Sequence, residues 1–103
     1  MANVTEQREN EGRRAAISFT TDPVTLKIMT EPYVVLTARG YAPVVDVEVN
    51  GEPELRVMFI SAVSMSQALE EFRIQNNQRF TGIRLKVCKE STDRFAKYVV
   101  ERA

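Results

Sequence analysis

The side chains of this sequence best suited to chemistry are cations and rings. Between positions 79 and 98 stand six basic residues, Arg79, Arg84, Lys86, Lys89, Arg94 and Lys97, against two acidic ones, Glu90 and Asp93. That local net charge of plus four suits neutralisation of phosphate, and Arg39 and Arg56 add upstream cations. Rings lie close by: Tyr41 follows Gly40, and Phe95 follows Arg94. Cations for phosphate and flat apolar faces for bases are what a single-strand-binding surface requires. The excess is local, because fourteen Lys plus Arg balance fourteen Asp plus Glu over the 103 residues. A uniformly basic, histone-like protein is thereby excluded. Residues 1–52 carry a net charge of minus three and residues 53–103 plus three. A plainer explanation of the same charges is that half-exposed strands carry Lys and Arg for solubility and edge protection.

Catalytic chemistry has little to work with. The absence of histidine removes the usual base near neutral pH and the commonest zinc ligand, and a single cysteine forms neither an internal disulfide nor a thiolate cage. Cys88 lies beside Lys86 and Lys89, whose charge favours a thiolate, but it lacks the basic partner of a nucleophilic site. Gly40 and Gly82 stand alone, without the spacing of a phosphate-binding loop, and Glu70 and Glu71 fall on the polar face of a helix. No catalytic residue, cofactor or metal is expected. The apolar runs, such as Tyr33 to Leu36, fall far short of the ~20 residues that span a bilayer, and the N-terminus opens polar. The expectation is a soluble, cytoplasmic protein without membrane contact.

Those side chains must be held by elements that the patterning announces. Residues 1–14 contain one branched aliphatic, Val4, and read as a flexible tail ahead of a single domain over 15–103. Residues 15–19 have short strand character, which could lengthen a sheet, pair with the final strand or mediate self-association. Val24 to Met29 and Tyr33 to Thr37 read as one kinked strand or two short ones, because Pro32 lacks the amide hydrogen a central ladder needs. After a loop over 38–43, Val45, Val47 and Val49 alternate with Asp46 and Glu48, which predicts a half-exposed strand in a hairpin turned by Asn50 and Gly51; its acids either pair with Arg56 across the hairpin or face the groove and push the basic track towards the fourth and fifth strands. Residues 55–60 return as the partner strand; its parity, with Arg56 and Met58 on one face, stays open.

From Ser64 the period changes to helical, with Met65, Leu69 and Phe72 on one face, and Ser64 with Gln67 matches a capping box. Tyr33 and Phe72 read as core. Residues 81–89 then alternate with Ile83, Leu85 and Val87 inward and Arg84 and Lys86 outward, Phe80 preceding them as a candidate plug beneath the helix. Residues 95–100 form a last strand with Ala96, Tyr98 and Val100 inward and Lys97 outward.

The predicted fold class is mainly β with one helix, in the order βββαββ with a possible extra N-terminal strand. At this length that order resembles the OB-fold, a five-stranded Greek-key barrel with its helix between the third and fourth strands. The resemblance covers roughly residues 24–101 and rests on element order. It implies ligand binding across the second and third strands, flanked by the first-to-second and fourth-to-fifth loops, here 38–43 with Arg39 and Tyr41 and 89–94 followed by Phe95. The expected partner is single-stranded DNA, with RNA also admitted, held by Arg39, Arg56, Arg84, Lys86, Lys89, Arg94 and Lys97 and by stacking on Tyr41 and Phe95. The alternative is a protein interaction module or homo-oligomer assembled through an exposed strand edge.

Overall fold

The structure, a computed structural model, describes residues 14–103. Among the described residues six strands, β1 (Val24–Ile28), β2 (Tyr33–Thr37), β3 (Gly40–Val49), β4 (Arg56–Phe59), β5 (Arg84–Lys89) and β6 (Tyr98–Arg102), form one sheet, with one helix, α1 (Val63–Gln75), between β4 and β5. The mainly β class and the position of the helix are as the periodicity predicts. All pairings between these strands are antiparallel.

The first strand is divided as Pro32 predicts. Both halves lie along the same edge of β3, Ile28 opposite Val47 and Tyr33 opposite Val44, while β4 takes the other edge. Four residues of the divided strand thus face two of β3, an insertion of even length that leaves the inside and outside faces in phase. The break is held from two sides. On one, the Met29 amide donates to the Asp46 carbonyl at 2.8 Å and the Asp46 amide to Thr30 Oγ1 at 3.1 Å. On the other, the Glu31 carboxylate accepts from the Phe80 amide at 3.0 Å, the Thr81 amide at 2.8 Å and the Thr81 hydroxyl at 2.7 Å. The hydroxyl bond, with the two amides and the charge of Arg79, holds the Glu31 carboxyl below the usual carboxylate range against a smaller effect of burial.

Alternation then decides the core. Val45, Val47 and Val49 of β3, Leu26 and Ile28 of β1, and Leu85 and Val87 of β5 pack with Met65 and Leu69 of α1 in one buried cluster. Phe72 and Phe80 pack against it partly buried, as do Tyr98 and Val100, the inward pair expected of the last strand. Met58 settles the parity of β4: it is wholly buried in this core, whereas Val57 joins Val35, Val44 and Phe59 in a second cluster on the opposite face.

Five local expectations are corrected. The stretch 38–43 is no loop: Ala38 and Arg39 turn the chain, Gly40 adopts φ +112°, and Tyr41 already lies in β3 opposite Leu36. Asp46 and Glu48 do not pair with Arg56, because Arg56 lies opposite Val47 and binds Glu52 at 2.8 Å; Asp46 is buried, accepting from the Tyr33 hydroxyl and pairing with Arg14 at 3.3 Å. Tyr33, expected in the core, therefore sits on the outer face. The capping box does not form, since Ser64 Oγ instead accepts from the Tyr98 amide at 3.1 Å and ties α1 to β6. The last strand starts at Tyr98, which leaves Phe95 and Lys97 in the preceding loop.

The sheet is not closed: β4 and β6 do not pair. Residues 15–20 reach both. Ile17 donates to the Val57 carbonyl and Val57 to the Ala15 carbonyl, in a parallel bridge on the outer edge of β4. The Thr20 carbonyl then accepts from the Lys89 amide at 2.7 Å, and Phe19 meets the Tyr98 ring edge-on at 5.7 Å. The N-terminal stretch thus extends the sheet at β4 and touches the final strand through a ring. Of the expected tail, residues 1–13 lie outside the described residues.

Leu69→Ala and Leu85→Ala should each lower unfolding free energy by ~2–5 kcal/mol in urea titrations, as both leave cavities in the main core. A cost below ~0.5 kcal/mol at both would contradict this packing. Glu31→Gln should cost about 1 kcal/mol at neutral pH, modest because the site is exposed. Since the folded-state pKa is lowered, this contribution is present above the ordinary value of 4.5 and fades as pH falls through the lower folded value. Thermal unfolding of wild type and variant should therefore converge in acid.

Candidate nucleic-acid interface

Strand β5 builds the centre of the basic surface. With Ile83, Leu85 and Val87 buried, Arg84 and Lys86 stand exposed on the outer face, as the alternation predicts. Register adds a cation that sequence reasoning missed, for Lys27 of β1 lies opposite Arg84. It also adds acids. Glu48 lies opposite Lys27, and Glu101 lies opposite Lys86 from β6, so the row is basic along β5 and acidic at its flanks. Only the three-dimensional pairing could show these neighbours, which are separated by many residues in the chain.

Beyond β5 the loop to β6 is folded on itself. The Phe95 amide donates to Asp93 Oδ1 at 2.9 Å, the Ala96 amide to the Asp93 carbonyl at 3.0 Å, and the Glu90 amide to the Lys97 carbonyl at 2.9 Å. These bonds turn the Phe95 ring outward, 82% exposed, with the Arg94 guanidinium 5.1 Å from its centroid. A cation over an exposed ring is worth ~0.5–1 kcal/mol and holds both groups ready for a base and a phosphate. Phe95 also lines a shallow cleft of about 300 Å³ with Val63 and Gln67 of α1, Lys97 and Tyr98.

The other expected residues lie elsewhere. Arg39 and Tyr41 flank the β2–β3 turn at the far end of the divided strand from β5's exit, where Val87 lies opposite Val24. Tyr41 is 75% exposed. Arg56 is already neutralised by Glu52 and, with Glu54, lines a separate cleft. The nine candidates thus separate into Arg84 and Lys86 on the outer face of β5, Lys89 at its end with the parity of Leu85 and Val87, a loop group of Arg94, Phe95 and Lys97 beside α1, a distant pair of Arg39 and Tyr41, and Arg56 apart from the rest.

Among the described residues, no ion pair engages Arg39, Arg84, Lys86, Lys89, Arg94 or Lys97. Cys88 is a half-buried free thiol opposite Val99, and no group of three His, Cys, Asp or Glu side chains among the described residues is placed to hold a metal ion. No described helix is long and apolar enough to cross a membrane. Comparison with family models, curated proteins and solved structures yields no match to this chain.

Proposed function

We propose that this protein binds single-stranded nucleic acid, DNA foremost, without strong sequence preference and without catalysis, along the outer face of β5 and around the loop that follows it. The observation that carries the reading is a set of cations outside any ion pair among the described residues, Arg84 and Lys86 on the outer face of β5 and, after Lys89, Arg94 beside the exposed ring of Phe95 in the loop that also holds Lys97. Cations without carboxylate partners release counterions when phosphate replaces them, and an outward ring gives a base a face to stack on. Arg39 and Tyr41 form a second, smaller contact that a strand long enough to pass the sheet would reach. Arg56 is left out of the phosphate set, since Glu52 already satisfies it.

The fold reading that accompanies this function is an OB-like Greek-key barrel left open at one seam. Its support is the neighbour order β5, β1, β3, β4, with the divided β1–β2 counted as one strand: hairpins join the first three strands, and the fourth returns through α1 to lie beside the first. Residues 15–20, bonded to β4 at one end and to Lys89 at the other, stand where a closed barrel would pair its edge strands. An intracellular, cytoplasmic setting belongs to the same reading, with which a single cysteine, and so no internal disulfide, is compatible. A protein interaction module is the second reading, favoured by the open edge of β2, a surface distinct from β5.

Fluorescence anisotropy with labelled single-stranded DNA, duplex and RNA at two salt concentrations tests the proposal. The double charge reversal Arg84→Glu with Lys86→Glu should weaken single-strand binding and flatten the logarithmic salt slope by ~1.4, at ~0.7 for each lost phosphate contact. Phe95→Ala and Tyr41→Ala should instead each lower affinity by ~1–3 kcal/mol with the slope nearly unchanged, because an uncharged ring releases no ion. Absence of single-strand binding at low salt, where the electrostatic attraction is strongest, would overturn the reading.

A further inference from the structure

The sheet has three outer edges, and among the described residues two of them, at Val57 of β4 and Tyr98 of β6, have backbone groups bonded by another part of the chain. Residues 15–17 bond along β4, and α1 lies on β6, capping the Tyr98 amide through Ser64 and meeting Arg102 through Gln75. Among the described residues no strand pairs with the outer edge of β2. Its sequence, Tyr33, Val34, Val35, Leu36, Thr37, is strongly strand-forming and holds neither a charge nor a proline, so it lacks the usual protections against edge-to-edge pairing. Val34 is 59% and Leu36 45% exposed, and Tyr41 of β3 extends their apolar surface on the same face.

The backbone of that edge is also poised to pair. Because the Pro43 carbonyl accepts from the Ile60 amide on the β4 side, the alternate residues Ala42 and Val44 turn their backbone groups toward β2 and bond Val35 and Tyr33. Val34 and Leu36 therefore direct their N–H and C=O groups outward. A strand of the same sequence running antiparallel meets this pattern when Val34 faces Leu36 and Leu36 faces Val34, with Val35 on the two-fold axis. In that register the five residues of each strand overlap completely, Val34 meets Leu36 and Val35 meets Val35, and the turn that holds Arg39 comes beside the break that holds Glu31. Arg39 is outside any ion pair among the described residues, and Glu31 is an exposed carboxylate kept ionised by its amide and hydroxyl donors.

We propose that the open edge of β2 is completed by β2 of a second copy of this chain, in an isologous dimer that joins the two sheets about a two-fold axis at Val35, with the basic end of each β2, at Arg39, beside the acidic end of the other, at Glu31 of the partner subunit. Self-complementarity in backbone register, side-chain faces and charge is what favours a second copy over an unrelated strand.

Sedimentation velocity of the full chain, without nucleic acid and over a wide concentration range, provides the test. Wild type should sediment as a dimer at high concentration. Val34→Lys and Leu36→Lys, at exposed positions and with thermal unfolding as a control for folding, should each weaken dimerisation by at least ~10-fold. Val35→Cys in a Cys88→Ser background should form an interchain disulfide on oxidation, because residues on the axis form the close, non-hydrogen-bonded pair with Cα atoms ~4.5 Å apart, within disulfide reach. Thr37→Cys in the same background should not cross-link. A wild-type chain that stays monomeric at every concentration overturns the proposal, as does a dimer unaffected by both lysine variants, which would be using another surface. A dimer sensitive to those variants but cross-linked through Thr37→Cys and not through Val35→Cys overturns the register.

Discussion

The insertion within Met29–Pro32, four residues where β3 has two, is the constraint on which the sheet depends. It lets a single run of chain act as two strands against one edge of β3, and its even length keeps Ile28 pointing into the core and Tyr33 out of it. An odd insertion would have reversed every side chain of β2. Irregular backbone of this kind leaves donors and acceptors to be satisfied, and two acidic residues arrange it. Asp46 binds the break through its main chain and takes the Tyr33 hydroxyl on its carboxylate. Glu31 ties it to Phe80 and Thr81, just before β5. The place where β2 departs from its neighbour and the place where β5 begins are thus set by one carboxylate, and an unshared edge on β2 follows.

Where local pattern and burial agree, the fold was legible in the sequence. The alternation of Ile83, Leu85 and Val87 specified β5 and its basic face, because a strand flanked on both edges keeps a strict period of two. The helix was legible from Met65, Leu69 and Phe72 for the same reason. The N-terminal signal at Ser64 and Gln67 was misleading, since a hydroxyl near a helix start can accept from any amide in reach, and the Tyr98 amide, 34 residues away, occupies it. Asp46 was misread because an acid in an alternating strand ordinarily faces water. Here its burial depends on Tyr33 and Arg14, long-range partners that composition does not announce.

The candidate site was legible in its charges and not in its geometry. Arg84 and Lys86 share the outer face of β5 by alternation, and Arg94 meets Phe95 in the next loop, because the members of each pair are near one another in the chain. Their acidic neighbours Glu48 and Glu101, and the additional cation Lys27, come from other strands and are visible only through register. Tyr41 shows a different limit. A glycine followed by an aromatic residue and a proline suggested a loop, but Gly40, at positive φ, only completes a tight turn, and Tyr41 is already paired. Its exposure results from its place near the end of a hairpin, beyond the reach of the core.

Charge and apolar surface are divided between strands in a way that joins the two proposals. β2 carries no charge and, among the described residues, has an unpaired edge, whereas β5 carries Arg84 and Lys86 on the outer face and has both edges paired, with β1 and β6. A dimer formed through β2 leaves β5 of each copy uncovered and, by two-fold symmetry, puts two equivalent basic strips on one particle. The second strip then meets an already bound strand at an effective concentration set by the length of nucleic acid between them. Affinity in such a particle rises with oligomer length once a strand can reach both strips. Short oligomers gain nothing from the second copy, because they engage one strip whether the chain is paired or single.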